Sequence, residues 1–545
     1  LLYDFQKDAV VGAISKLEKP NGVILADSVG LGKTFSALGV IKYYESRNKN
    51  VLVLAPKRLA DNWNTYKNNY KNNPLAEDRL RYDVLFHTDM DRERGESNGI
   101  DLSKINWGNY DLVVIDESHN FRNGEGTTHK KDDGSENRYQ KLMRKILKAG
   151  VQTKVLMLSA TPVNTDFSDL RNQLMLAAEG NSDNLSKSLS TSSSVQEIFN
   201  QAQSAFKAWS QFNVEERTTQ TLLDMLDFDF FELLDSVTIA RSRKHIEKYY
   251  DNTDIGNFPA RLTPINKSPR LTNLNVTYND LFAYIDRMNL EVYNPLKYVY
   301  PSKLSKYIDD SRPNAGSWAN REKGRNQLMI TNLLKRAESS IYAFKLTSQR
   351  ILENINQKLE AIAQFEQYQS EQIVDTTNES EGDEFTVGKD LKIDIADMDY
   401  ISWRQQLLAD KEVFIEMLDV VETITPVDDL KLAELKALIQ DKTHHPINPG
   451  NKKVLIFTAF ADTADYLYDN LQEILLTENQ TYTGLISGTR TASNIPEGNN
   501  DFNELLTLFS PKSKHRDALG LVGELDVVIA TDVISEGQNL QDADY

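Results

Sequence analysis

The chain has 545 residues, a formal net charge of −18 and no cysteine. That length predicts about three or four domains of ~150 residues each. The acidic balance argues against nucleic-acid binding through overall charge, although it leaves room for a local basic groove. The lack of cysteine excludes disulfides and cysteine-ligated zinc and favours a cytoplasmic protein. No apolar run approaches ~20 residues, so no membrane segment is expected. Because the chain starts at Leu1 without methionine, we expect it to be part of a longer protein.

The first predicted unit is a strand, a glycine-rich loop and a helix. Residues 23–25, "VIL", form an apolar run that predicts a buried strand of a parallel sheet. The loop "ADSVGLGKT" (26–34) follows, and the apolar spacing over 35–41 predicts a helix with one buried face. Backbone N–H groups at a helix N-terminus favour an anion. The stretch therefore predicts a phosphate-binding loop.

The loop fits the pattern G-x-x-x-x-G-K-[ST] except at its first position, where Asp27 replaces glycine. Gly30 and Gly32 allow the backbone to close around a phosphate group. Lys33 can reach the β- and γ-phosphates, and the Thr34 hydroxyl can hold Mg²⁺. An ordinary glycine-rich turn is the alternative interpretation.

Three further apolar strands, predicted at 51–56, 110–117 and 154–162, each end in polar residues. Asp116 and Glu117 end the second of them, and adjacent carboxylates there are costly unless they hold a cation or move a proton. Asp116 would help to bind Mg²⁺, and Glu117 could take a proton from an attacking water. A solvated pair of acids is the alternative. Ligands of open parallel sheets bind beyond the carboxyl ends of the strands, which predicts a nucleotide site here.

Polar and helical stretches separate this region from a second set of strands near the C-terminus. The predicted segments, in chain order, are a polar linker at 180–194, helical segments at 195–235 and 270–370, a solvated acidic loop at 375–384, and strands at 453–460 and 525–532. The pattern predicts an α/β fold with two parallel-sheet lobes and helical insertions.

Four stretches in this order resemble the motifs of the Swi/Snf-type ATPases of helicase superfamily 2. They are "DSVGLGKT", "DESH", "SATP" and "ATDVISEGQNLQ". In that family the loop commonly reads D-E-x-G-L-G-K-T, so Asp27 is typical of the family, whereas Ser28 replaces its usual glutamate. The resemblance implies two RecA-like lobes that bind ATP and Mg²⁺ between them and translocate on duplex DNA.

The resemblance also implies roles for individual residues, matched motif by motif. "LYDFQKDAV" (2–10) is similar to the motif whose glutamine reads adenine, and "APKRLADNW" (55–63) to a segment that touches DNA. The residues so implied are Gln6, Gly30, Gly32, Lys33, Thr34, Glu536 and Gly537 for nucleotide binding; Thr34 and Asp116 for Mg²⁺; Glu117, Lys33 and Asp116 for catalysis; Lys57, Thr161, Ser487, Gly488 and Thr531 for nucleic acid; and His119, Ser159 and Thr161 for coupling.

The resemblance covers almost the whole chain and divides it into four segments. They are lobe 1 at 1–180, a helical insertion with an arginine-rich link at 181–265, a second helical insertion at 266–425, and lobe 2 at 426–545. "LLKRAESSIYAF" (333–344) is similar to bacterial members, including RNA-polymerase-recycling ATPases. This implies a prokaryotic source and leaves open polymerase recycling, restriction and phage defence, with RNA polymerase or a nuclease as partner.

Two segments have a second interpretation. The basic run in "IARSRKHI" (239–246) together with Lys248 is either a solvated face or the arginine-rich stretch that the family has there. The helical segment 270–370 is either packing or a protrusion that grips DNA or a partner.

Two other classes of activity also remain open. One is an RNA or single-strand DNA helicase, which shares the ATP motifs. The other is a scaffold protein that binds a nucleotide without hydrolysing it. Glu117 argues against this class, because a protein that does not hydrolyse the nucleotide needs no general base. The resemblance further implies that a last motif, with two arginines that reach the γ-phosphate, follows Tyr545.

Overall fold

The computed structural model divides the chain into two compact units, Leu1–Thr263 and Pro264–Tyr545. It describes all residues except 1, 20, 68–72, 123, 125–135, 164–166, 181–192, 252–255, 257, 259–262, 308–317, 369–372, 376–391, 497, 499, 515, 535 and 536. Most of the predicted linker 180–194 and of the predicted acidic loop 375–384 therefore lies outside the described residues. No helix in the described part of the chain is long and apolar enough to cross a membrane.

The first unit is built on a parallel sheet. Its strands are β1 Gly22–Leu25, β2 Val51–Ala55, β3 Asp83–Phe86, β6 Leu112–Asp116, β7 Lys154–Leu158 and β8 Thr238–Ile239, and a small hairpin is formed by β4 Glu96–Ser97 and β5 Ile100–Asp101. Among the described residues the sheet order is β3-β2-β6-β7-β1-β8, and every neighbouring pair is parallel. The parallel sheet predicted for this part of the chain is confirmed.

Helices flank this sheet and follow its strands. They are α1 Asp4–Glu18, α2 Lys33–Glu45, α3 Ala60–Asn64, α4 Arg138–Leu142, α5 Phe167–Ala177, α6 Val195–Ser210, α7 Thr219–Met225, α8 Phe228–Val237 and α9 Arg243–Tyr249. The helical prediction for 195–235 is confirmed by α6, α7 and α8. Ser194 caps α6, because its hydroxyl accepts the N–H of Glu197 and the Glu197 carboxylate accepts the N–H of Ser194.

The strands are short, apolar and buried because the sheet is covered on both faces. Side chains alternate between the two faces, so Ile24 packs into one hydrophobic cluster while Val23 and Leu25 pack into the other. The same alternation makes β2, β6 and β7 contribute to both clusters. The sheet thus has a core on each side, and only its edges and strand ends meet solvent.

The second unit combines a helical module with a smaller sheet. Its helices are α10 Tyr278–Arg287, α11 Trp318–Ser339, α12 Ile341–Tyr368, α13 Tyr400–Glu422, α14 Leu430–His444, α15 Ala461–Asn479, α16 Phe502–Phe509 and α17 Arg516–Leu519. Its strands are β9 Ile373–Asp375, β10 Lys392–Asp394, β11 Val454–Phe457, β12 Thr483–Ile486, β13 Thr491–Ser493 and β14 Val527–Ala530. The larger sheet has the order β11-β14-β12-β13 in the described residues, with β13 antiparallel and the other pairs parallel.

The helical module, α10 to α13, has its own core. Phe344, Trp403 and Phe414 are fully buried in it. The sheet is again covered on both faces, since Val527 and Ile529 belong to one cluster and Val528 to the other. Both units are therefore α/β, which confirms the predicted fold class of two parallel-sheet lobes with helical insertions.

Polar contacts join the helical module to the sheet of the second unit. Arg336, near the end of α11, donates to the carboxylate of Asp462 at 2.6 Å, and its side chain is 12% exposed. The hydroxyl of Ser339 lies 2.8 Å from that of Thr463 and 3.4 Å from that of Thr458, the residue after β11. The stretch "LLKRAESS" thus attaches the module to the carboxyl end of β11.

We predict that Trp403→Ala destabilises the second unit by ~3–5 kcal/mol, because it leaves a cavity in the module core and an unpaired carbonyl. Trp403 is fully buried, and its indole N–H donates to the carbonyl of Glu291 at 3.0 Å. Urea unfolding followed by circular dichroism measures the loss. Ile401→Ala on the same helix, at a side chain that is 50% exposed, is the control. Equal unfolding midpoints for the two variants would contradict the prediction.

Candidate functional site

Polar groups converge on one edge of the sheet of the first unit. Because its strands are parallel, the carboxyl ends of β1, β2, β6 and β7 lie at the same edge. The glycine-rich loop follows β1, Lys57 follows β2, Asp116 ends β6, and Ser159 follows β7. This edge is where open parallel sheets bind ligands.

The glycine-rich loop has a backbone that only glycine adopts freely. Gly30 and Gly32 have φ of +84° and +74°, and a Cβ on Gly32 would lie 2.5 Å from the Nε2 of Gln6. The helix α2 starts at Lys33 with Gly32 as its N-terminal capping residue, so the end of the helix that favours an anion lies at the loop. The Nζ of Lys33 donates to the carbonyl of Asp27 at 2.9 Å. The loop therefore has the features of a phosphate cradle.

Gln6, predicted to read adenine, lies against this loop. Its side chain is 4% exposed, its Nε2 donates to the carbonyl of Leu31 at 3.1 Å, and its Oε1 accepts the N–H of Tyr3 at 3.1 Å. The structure brings Gln6 to the loop, and the reading of adenine stays a prediction.

The two adjacent carboxylates at the end of β6 have different surroundings. Asp116 accepts the indole N–H of Trp63 at 2.9 Å and the N–H of Glu117 at 3.0 Å, which fixes its orientation. Glu117 has left-handed backbone angles, φ +48° and ψ +54°, which are unfavourable for a non-glycine residue. Its carbonyl accepts the N–H of Asn120 at 3.1 Å, and this turn directs the chain away from the strand.

The ammonium group of Lys33 lies among these acids. Burial lowers the pKa of Lys33, while the negative charges of Glu117, Asp27 and Asp116 oppose that change. A lysine, two strand-end carboxylates and a glycine-rich loop were predicted from separate stretches of sequence. The structure brings all of them within electrostatic range of one another.

A short series of contacts connects Glu117 with the loop after β7. The Nδ1 of His119 lies 3.4 Å from the Oε2 of Glu117 and 3.4 Å from the Oγ of Ser159. The N–H of Thr161 donates to the Oγ of Ser159 at 3.2 Å. The three residues predicted to couple nucleotide and nucleic-acid sites are therefore in contact with one another, with Glu117 at one end.

Sequence reasoning missed three residues that support the site. Trp63 orients Asp116, while the buried Ser118 donates to Gln173 at 2.7 Å. The side-chain amide of Gln173 in turn donates to the carbonyl of Pro162 at 2.7 Å. Ser118 and Gln173 thus tie the loops after β6 and β7 to α5. No local pattern marks them, because their partners are distant in sequence.

The predicted nucleic-acid residues of the first unit are exposed at strand ends. Lys57 starts the short helical turn after β2, and Thr161 lies in the loop after β7. Both positions can be reached by a ligand on the edge that carries the glycine-rich loop. Their contact with nucleic acid stays a prediction.

The predicted nucleic-acid residues of the second unit lie at the ends of two neighbouring strands. Ser487 follows β12 and Thr531 follows β14, and the N–H of Thr531 donates to the carbonyl of Ile486 at 3.1 Å. The Oγ of Ser487 accepts the N–H of Arg490 at 2.9 Å and closes a turn in which Gly488 faces open space. Gly537 has a φ of +69°, while Glu536 lies outside the described residues.

A Mg²⁺ site fits the residues of the first unit only if phosphate oxygens complete it. In the part of the chain that the structure describes, no group of three or more histidine, aspartate and glutamate side chains could hold a metal ion. Mg²⁺ at nucleotide sites is held by one or two protein groups together with phosphates and water. Thr34 at the start of α2 and Asp116 at the end of β6 suit that requirement.

The basic run at 239–248 is not a uniform solvated face. Lys244 and Lys248 are exposed, but Arg241 is 8% exposed and pairs with the fully buried Asp27. The solvated-face interpretation is therefore wrong for Arg241. A buried carboxylate needs a cation, and this segment supplies it.

Comparisons with known proteins agree with the motifs. Residues 1–164 match the family described as the res subunit of type III restriction enzymes. The uncharacterised ATP-dependent helicase YqhH of Bacillus subtilis is 30% identical over 30% of this chain and 28% of its own length. The RNA polymerase-associated protein RapA of Stutzerimonas stutzeri is 25% identical over 44% of this chain and 26% of its own length. The chain thus matches only about a quarter of the length of these relatives.

A solved structure, the Sulfolobus solfataricus SWI2/SNF2 ATPase core in complex with dsDNA, covers 97% of this chain and 78% of that chain. Its sequence identity is 14% and its TM-score is 0.31. The matched family and the two relatives confirm the recognition made from the motifs. The similarity to these proteins supports the resemblance of the chain to the Swi/Snf-type ATPases of helicase superfamily 2.

We predict that His87 makes the first unit less stable in acid. Its ring lies against Phe121, its Nε2 is 3.2 Å from the carbonyl of Leu54, and burial lowers its pKa to about 4. As the pH falls from about 6.5 to about 4, the unfolded chain binds a proton that the folded chain does not. The contribution of His87 to the free energy of unfolding should therefore fall by ~3 kcal/mol across that window and change no further below it.

The measurement is urea unfolding at several pH values between 7.5 and 4, compared with His87→Gln, which keeps a donor for Leu54. The difference in free energy of unfolding between wild type and His87→Gln should become smaller as the pH falls. His445→Gln, at an exposed histidine, is the control. Parallel pH profiles for wild type and His87→Gln would show that His87 does not titrate in this way.

Proposed function

We propose that the chain is the motor part of an ATP-dependent nucleic-acid enzyme, most specifically a double-stranded DNA translocase. One observation carries the proposal: Lys33, Asp116 and Glu117 interact at the carboxyl edge of a parallel sheet, beside a loop whose glycines have positive φ. That combination suits the binding of a triphosphate and the activation of a water.

In this proposal the loop and Lys33 hold the phosphates of ATP. The N–H groups at the start of α2 and the ammonium of Lys33 offset the negative charge of the triphosphate. Thr34 and Asp116 would hold Mg²⁺, which neutralises phosphate charge when it is bound. Glu117 accepts the proton of the attacking water, and its left-handed backbone holds its carboxylate beside Lys33 and His119.

The contacts of Glu117 give the proposed enzyme a route for coupling. Any nucleic acid that displaces the loop of Thr161 would shift Ser159 and, through His119, the proposed base. A stimulated ATPase needs such a connection between its two ligands. Through the same contacts, the binding or hydrolysis of ATP would change the affinity for nucleic acid.

Duplex DNA is the nucleic acid we favour. Lys57 and Thr161 in the first unit, and Ser487, Gly488 and Thr531 in the second, would contact sugar and phosphate, which gives little sequence specificity. The motif order of the Swi/Snf type supports duplex translocation. A helicase that acts on RNA or single-stranded DNA is the second candidate, and the relative YqhH is called an ATP-dependent helicase without a stated substrate.

The relative RapA is called RNA polymerase-associated, which supports RNA polymerase as a partner. A nuclease or defence partner is the other proposal, and it rests on the bacterial type of the motifs alone. A non-hydrolysing scaffold is disfavoured because Glu117, a residue able to act as base, lies beside Lys33.

We predict that Glu117→Gln keeps nucleotide binding but lowers ATP hydrolysis by ~10²-fold or more, because an amide cannot accept the proton. Lys33→Ala should instead weaken binding itself. The measurements are phosphate release and equilibrium binding of a fluorescent ATP analogue. Glu77→Gln, at an exposed glutamate in the same unit, should behave like wild type. Wild-type hydrolysis by Glu117→Gln would remove Glu117 from the mechanism.

We predict that duplex DNA stimulates hydrolysis more than single-stranded DNA or RNA, and that DNA binding weakens as salt rises, because phosphate contacts release counterions. Lys57→Ala should weaken binding and reduce the slope of log Kd against log salt by ~1. Lys19→Ala, at an exposed lysine outside the proposed site, should leave the slope unchanged.

The comparison needs ATPase assays with each nucleic acid and binding titrations at several salt concentrations. Binding that is independent of salt would argue against a nucleic-acid motor. Stronger stimulation by RNA or single strands would favour the second candidate over duplex translocation.

A further inference from the structure

The carboxylate of Asp27 is fully buried at the position where the general phosphate-loop pattern has glycine. A buried, unpaired carboxylate would be strongly unfavourable. The guanidinium of Arg241 resolves this by donating from Nε to Oδ1 at 2.9 Å and from Nη2 to Oδ2 at 2.5 Å. This two-bond geometry fixes the direction of the carboxylate as well as its charge.

The same guanidinium reaches a third segment. Its Nη1 donates to the carbonyl of Phe5, the residue before Gln6. Its other two nitrogens donate to the carboxylate of Asp27. The backbone carbonyl of Asp27 in turn accepts a hydrogen bond from the Nζ of Lys33 at 2.9 Å. Arg241 therefore connects the residue before Gln6, which is predicted to read adenine, with the loop whose Lys33 is predicted to hold the phosphates.

Backbone and apolar contacts support this connection. The N–H of Ala26 donates to the carbonyl of Ile239 at 2.7 Å, and the N–H of Ser28 donates to the carbonyl of Arg241 at 2.9 Å. Leu31 of the loop packs with Phe5 and Ile246 in a small hydrophobic cluster. The segment after α8 therefore contacts the loop and the start of α1 together.

We propose that Arg241 is a positioning residue for the nucleotide. It fixes the position of the glycine-rich loop relative to Phe5 and Gln6. The proposal rests on the nucleotide binding proposed above and adds a residue that would touch no part of the nucleotide. Arg241 would act on affinity through Asp27 and on choice of base through Phe5 and Gln6.

The test measures binding of fluorescent ADP and fluorescent GDP to the full chain, by equilibrium titration. Arg241→Gln should weaken ADP binding about 10-fold or more, since small displacements of binding groups have effects of that order. The ratio of the two dissociation constants should also fall towards one. Loss of folded protein alone would weaken both nucleotides equally and leave this ratio unchanged.

Further variants keep the test decisive if Arg241→Gln folds poorly. Arg241→Lys keeps the charge and loses the two-bond geometry, so it should lower both affinity and base preference by a smaller factor. Asp27→Asn should likewise lower both affinity and base preference. The double variant Asp27→Asn with Arg241→Gln should bind little more weakly than Arg241→Gln alone, because both changes remove the same interaction.

Two controls separate this role from charge and from stability. Lys244→Gln removes an exposed charge from the same segment, and Leu142→Ala destabilises the core of the first unit away from the loop. Both should keep the wild-type ratio of dissociation constants. Variants of Arg241 that lower only the unfolding midpoint, with wild-type affinity and ratio, would overturn the inference and leave the proposed function intact. Absence of nucleotide binding by wild type would overturn both.

Discussion

The strands of the sheet in the first unit all run in one direction, and this constraint determines where the chemistry of that unit can lie. The strands β1, β2 and β6 are apolar and buried on both faces, so their polar side chains are confined to the strand ends. Parallel order then places the ends of β1, β6 and β7 at one edge, although they are far apart in the chain. Lys33, Asp116 and Ser159 become neighbours because of strand direction, without any local sequence relation between them.

Charge placed at such an edge must be balanced within the protein. Asp27 is fully buried and has Arg241, while Asp116 has the indole of Trp63 and a backbone N–H. Lys33 lies among three carboxylates and donates to a carbonyl. These internal partners hold the groups in place before any ligand arrives, and preorganised charges are the ones that stabilise a developing charge most effectively.

Several features of this edge followed from the sequence because they depend on local patterns. The run at 23–25 and the glycines at 30 and 32 predict a strand and a tight loop, and both are present. The Asp116–Glu117 pair was placed correctly at a strand end for the same reason. Such patterns can be predicted because they depend on the hydrophobicity and backbone freedom of neighbouring residues, which distant contacts do not change.

Other features could not be predicted because they depend on contacts made only in the fold. Arg241 lies 214 residues after its partner Asp27 and looked like one basic residue among several. The left-handed backbone of Glu117 has no signal in sequence, since glycine is the residue that usually marks such angles. The position of Asp27, two residues after an apolar strand, was the one available hint, because a carboxylate buried beside such a strand requires a cation.

The attachment of the helical module to β11 has a mechanical consequence for the second unit. The helix α12 has 28 residues and is therefore ~42 Å long. It begins directly after the serines that contact Thr463, so its fixed end lies at the tip of a strand. By simple geometry a rotation of ~10° about that end would displace the other end of a ~42 Å helix, together with the helices packed on it, by ~7 Å. In such a rotation the module would act as a lever on the sheet, because its contacts with Thr458 and Thr463 lie at the fixed end of the helix.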